Sequence, residues 1–98
     1  MTIAIFKESL KGNEPPINAS IYLKALWYDA KNDWEKAHTL IQDLPDANAA
    51  WIHAYLHLRE GDQFNADYWY RHAGKRRKDF SLAEEWEEMV AAFLQSIV

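Results

Sequence analysis

A chain of 98 residues with a formal charge of −4 suits one domain, residues 1–98, with no internal boundary. The absence of cysteine removes disulfide frameworks, thiolate metal sites and thiol nucleophiles, and the negative balance argues against broad binding of nucleic-acid phosphates. Five Trp, five Tyr and four Phe supply the packing area so small a domain needs, each ring burying about 150–250 Å².

Residues Met1 to Gly12 carry Lys7, Glu8 and Lys11 in place of the apolar core of a signal peptide, and no later run is long enough to span a bilayer. A cytoplasmic setting is therefore expected. In residues 1–16, Ile3, Phe6 and Leu10 fit a short helix, while Ile3 and Ile5 also alternate as an edge strand would; the helix is the expectation. Gly12, Asn13, Pro15 and Pro16 then break the chain.

From about Ile17 to Lys31, Ile21, Ala25 and Tyr28 form a helical stripe widened by Tyr22 and Leu26. Asp33 caps the next helix, in which Trp34, Ala37, Ile41 and Leu44 recur until Pro45. So short a connection makes the two helices antiparallel neighbours. Asp46 caps a third helix with Ala47, Ala50, Trp51, Ala54, Tyr55 and Leu58 on its apolar face, ended by Gly61. Asp62 caps a fourth, with Ala66, Trp69, Tyr70 and Ala73 on one face and Gly74 closing it. Phe64 and Tyr68 project from the other side, so either the last helix covers them or they mark an interaction surface. Ser81 and Glu84 form a capping box for residues 81–98, whose stripe is Leu82, Trp86, Met89, Val90, Phe93 and Ile97.

A shift of 29 residues lays Tyr22 on Trp51, Leu23 on Ile52, Ala25 on Ala54, Asp33 on Asp62, Ala37 on Ala66 and Leu44 on Ala73. Each copy has a small residue in its first helix, a tight Asn-Asp or Gly-Asp turn and an alanine early in its second helix. Gly61 and Asp62 with Ala66, Tyr70 and Ala73, echoed by Asn32, Asp33, Trp34 and Ala37, resemble the turn and second helix of the tetratricopeptide-repeat superfamily. The run Ala66, Trp69, Tyr70, Arg71, Ala73 is similar to its Sel-like branch, and the blocks HAYLH, EGD and YWYRHAG are similar to short bacterial proteins to which no activity attaches. The resemblance covers residues 17–74. It implies an all-α fold of two shortened repeats, as antiparallel helical hairpins, with a C-terminal capping helix, and it implies protein or peptide binding. The period is shorter than the usual repeat of roughly 34 residues, and two repeats are few, so the terminal segments must act as caps or a second subunit must cover an end.

Three readings of function follow. As an interaction module, the groove made by the first helices of the hairpins accepts a peptide or partner helix, with Tyr22, Leu26, His53 and His57 as its contact residues. As a small metal-dependent or histidine-assisted enzyme, the chain uses His53, His57 and Glu60: the histidines are four apart on one helix face and Glu60 lies three beyond, so two imidazoles chelate a divalent ion while the carboxylate completes the first shell or orients a ring. The Glu between the histidines of HEXXH-type sites is absent. Against this stands the ordinary role of histidines packed beside an apolar face. The third reading is a homo-oligomeric structural subunit. Nothing in the residues joins His38 to His72 in a common use, and the basic run Lys75–Lys78 reads as a solvated turn at a helix C-terminus. Binding, rather than catalysis, is the expectation, with no cofactor beyond the divalent metal of the second reading.

Overall fold

The computed structural model describes residues 1–77, 79 and 81–95, and among them the ordered elements are six helices with no strand: α1 (Ile3–Ser9), α2 (Ile21–Ala30), α3 (Trp34–Ile41), α4 (Ala47–Arg59), α5 (Gln63–Ala73) and α6 (Leu82–Gln95). Lys78 of the basic run and Ile97 of the last stripe lie outside the described residues. None of these helices is long and apolar enough to cross a membrane.

Capping chemistry sets most boundaries. The side chains of Thr2, Ser20, Asp33, Asp46 and Asp62 each accept from the backbone N–H three residues on, satisfying a donor the helix itself leaves open. Ser81 and Glu84 form the reciprocal capping box at the start of α6, at 2.9 and 3.1 Å. The expected start of the second helix near Ile17 is corrected. Ala19 N–H closes a turn on the Pro16 carbonyl, Ser20 caps, and Ile17 stands 92% exposed. The buried face also differs from the expected stripe: Leu23, Ala25, Leu26 and Trp27 are buried, whereas Ile21 faces solvent.

The 29-residue shift is visible in backbone geometry. Asn32 and Gly61 both hold the left-handed conformation, with φ of 64° and 88°. After them, Asp33 N–H bonds to the Tyr28 carbonyl at 2.9 Å and Asp62 N–H to the His57 carbonyl at 2.8 Å. Asparagine and glycine reach this conformation at the least cost, which is why the turn survives their exchange. Ala25, Ala37, Ala54 and Ala66 are all fully buried, their small side chains admitting neighbouring helices.

At the centre lies α4, buried on every side from Ala49 to Leu56 and packed against α5, α3, α2 and α6. Such all-round burial exceeds the single stripe expected, and Ala47 at its start is exposed. The last helix lies across α2 and α4. Trp86 Nε1 donates to the Leu26 carbonyl at 3.0 Å, and Phe93 packs between Tyr22 and Trp51. Deeper in this junction the buried carboxylate of Glu85 accepts from Trp51 Nε1 (3.2 Å) and the Tyr70 hydroxyl (2.6 Å), tying α6 to α4 and α5. At the other end, Phe6 of α1 packs on Trp86. Trp27 Nε1 donates to Ser9 Oγ, and Lys31 Nζ donates to the carbonyls of Leu10 and Gly12.

Candidate functional site, an imidazole cluster between indoles

Helices α3 and α4 are joined by residues 42–46, so the outward run of α3 and the return of α4 lay His38 against His53 and His57. The two Nε2 atoms of His38 and His53 are 3.0 Å apart. The three ring centroids are separated by 4.7, 4.9 and 5.4 Å, and one nitrogen of each ring lies within 4.8 Å of the others. Sequence periodicity finds the pair His53 and His57, one helical turn apart, but leaves His38 aside; its membership depends on a helix-to-helix crossing that no local spacing encodes.

The rings are fixed from outside. Trp34 stacks on His38 (4.7 Å between centroids, 10° between planes), and its own Nε1 donates to the Leu56 carbonyl at 2.7 Å. Trp69 of α5 stacks on His53 at 4.0 Å and 14°. His57 Nδ1 meets Glu60 Oε2 at 2.7 Å, a contact that fixes the orientation of this ring. Asp62 lies close enough to form a second group with His57 and Glu60.

Burial and the neighbouring rings hold two of the imidazoles, His38 and His53, against protonation. The His53 pKa falls to about 4, chiefly from burial and then from His38 and His57; that of His38 is lowered by burial and by His57. Near neutral pH these two rings are therefore uncharged, and one donates to the other through the 3.0 Å contact.

The remaining expected residues do not share this location. Leu26 is fully buried, and its carbonyl accepts from Trp86 Nε1 of α6. Tyr22 donates to Asp46 Oδ2 at 2.6 Å and packs on Phe93, at a distance in the fold from the imidazoles. His72 stays outside the cluster, against Tyr68 and Trp69. Phe64 and Tyr68 are left uncovered by α6, at 82% and 38% exposure. Part of the basic turn is tied to the core: Lys75 Nζ sits 4.2 Å from the centre of the Trp51 ring, and Arg77 Nε is 3.9 Å from Glu85 Oε1.

Two buried acidic groups escape the sequence pattern. Glu85 is one; the other is Asp29, 1% exposed, whose Oδ1 lies 2.9 Å from Arg59 Nη1. Burial raises the Asp29 pKa, with Arg59 opposing. Arg59 also donates to the Asp29 carbonyl and to Asn32 Oδ1, which fastens the end of α4 to the turn between α2 and α3. Beside this pair a cleft of about 630 Å³ opens between α1, α2, α4 and α6, walled by Leu10, Tyr55, Leu82 and Trp86.

Comparison with protein-family models, with curated proteins and with solved structures finds no match to this chain.

Proposed function

We propose that the chain is a helical-repeat interaction module, with α2–α3 and α4–α5 as two tetratricopeptide-like hairpins and the outer face of α5 as the surface that meets a protein or peptide. The observation that carries this reading is the exposure of Phe64 and Tyr68 on consecutive turns of α5, in line with exposed Arg71 and His72. Single exposed apolar residues are ordinary, but two aromatic rings one turn apart, flanked by an arginine, match the composition of interface anchors. The repeated turn at Asn32 and Gly61 supports the hairpin half of the reading.

The test is retention of partners by the immobilised wild-type protein and by a Phe64→Ser, Tyr68→Ser variant whose circular dichroism is unchanged. A partner held by the wild type should be released at least tenfold more readily from the variant, in keeping with about 1–2 kcal/mol for each lost anchor. Identical retention by both would overturn the reading. A concentration-dependent mass that the same substitutions abolish would instead make the partner a second copy of this chain.

A further inference from the structure

We propose that His38, His53 and His57 form a binding site for one divalent transition-metal ion, held by three imidazole nitrogens and oriented by Glu60. This proposal is independent of the α5 surface, since a metal site needs no protein partner.

Geometry comes first. Imidazole nitrogens bind zinc at about 2.0–2.1 Å, which sets ligand nitrogens of a tetrahedral site about 3.3–3.4 Å apart. His38 Nε2 and His53 Nε2 stand at 3.0 Å, so ion capture needs only a small outward movement of each ring. His57 brings the third ring from the next turn of α4, with a nitrogen inside the same 4.8 Å sphere. Because its Nδ1 is engaged by Glu60, the nitrogen left to ligate is Nε2, in the carboxylate–histidine arrangement that fixes tautomer and raises ligand basicity.

Preorganisation is the second strand. Stacking by Trp34 and Trp69 restrains the rings of His38 and His53 before any ion arrives. A purely packing role is met by the His38–His53 hydrogen bond alone. It does not account for a third imidazole on the same centre, nor for a carboxylate aligned on that ring's far nitrogen.

The donor set selects the ion. Neutral imidazoles suit zinc, copper, nickel or cobalt, whereas calcium and magnesium prefer oxygen ligands. Three protein ligands leave one tetrahedral position for water or an external ligand.

Titration of untagged, metal-free protein with cobalt(II), followed by visible absorption, and with zinc, followed by calorimetry, tests the site. One ion per chain is expected, with the intense visible bands of four-coordinate cobalt and no response to magnesium. His38→Ala, His53→Ala and His57→Ala should each weaken binding by about 100-fold or more. Since His53 is buried and its alanine variant can fail to fold, Glu60→Gln gives a second readout: it keeps the fold and weakens binding about 10–100-fold. Absence of stoichiometric binding by the wild type would overturn the proposal, as would binding unaffected by His38→Ala. Binding lost in His57→Ala and Asp62→Asn but kept in His38→Ala would assign the ion to His57, Glu60 and Asp62 and overturn it equally.

Discussion

Replacing Glu85 with alanine removes the shared acceptor of two buried donors. The Trp51 Nε1–H and the Tyr70 hydroxyl both end on Oε2, at 3.2 and 2.6 Å, and Glu85 is only 3% exposed. Water cannot replace both bonds unless the junction of α4, α5 and α6 opens. At about 1–3 kcal/mol for each stranded donor, the loss should reach about 3–5 kcal/mol. That is a large part of the roughly 5–15 kcal/mol that holds a domain folded. With a urea dependence of about 1–3 kcal/mol per molar, the unfolding midpoint should fall by about 2 M. Glutamine keeps a carbonyl oxygen for the same two donors and loses only the charge, so Glu85→Gln should cost about 1–2 kcal/mol. Urea unfolding followed by tryptophan fluorescence and far-ultraviolet circular dichroism measures both. A Glu85→Ala protein within about 1 kcal/mol of the wild type would refute the argument. Glutamine as damaging as alanine would also refute it, since the charge facing Arg77, rather than the acceptor, would then be what matters.

Two further outcomes follow from backbone and capping chemistry. Gly61 holds φ of 88° and has open space where a Cβ would stand, so Gly61→Ala should be penalised by backbone strain alone, about 1–2 kcal/mol, and lower the melting temperature by about 5–10 °C, whereas Gly12→Ala, free of positive φ, should change it little; calorimetry compares them. At Asp46, burial pushes the carboxyl pKa up, but the Tyr22 hydroxyl and the Ala49 N–H more than offset it and hold the folded value below the ordinary one. A depressed folded pKa adds stability that is fully present above the unfolded value of about 3.9 and is lost as pH falls through the folded value. The advantage of the wild type over Asp46→Asn, which keeps the cap but does not titrate, should therefore be constant from neutral pH to about 5 and be lost as pH falls below about 4, in urea midpoints taken across that range.

Much of the helical framework could be read from local chemistry, because local chemistry makes it. Asp33, Asp46 and Asp62 cap where their side chains reach the third N–H, and Gly61, Gly74 and Asn32 turn where a left-handed residue is needed. The misplaced start of α2 has the same origin: Ser20 is as good a cap as those aspartates, but the apolar residues before it, Ile17 above all, suggest an earlier turn of helix. Tertiary facts were less legible. Glu85 lies in the first turn of α6, where an acidic residue is already favoured by the helix dipole, and nothing local distinguishes it from exposed Glu84 beside it. Leu26 carries the periodicity of a groove-lining residue and of a residue under another helix alike; the position of α6 decides between them.

The imidazole cluster was hidden for a different reason, which bears on what it is for. Under the 29-residue shift, His53 and His57 fall on Lys24 and Tyr28, His38 falls on Asp67, and Trp69 falls on Leu40. The shift thus pairs the aspartate caps, the left-handed turn and the buried alanines. It does not copy the cluster, which occupies the seam where α3 meets α4. The Trp34 Nε1 bond to the Leu56 carbonyl holds the same seam without any imidazole. Substitution at His38 should therefore leave the helices folded while removing the chemistry between α3 and α4. That separation allows a loss of metal binding in His38→Ala to be read as the loss of a ligand rather than of the fold.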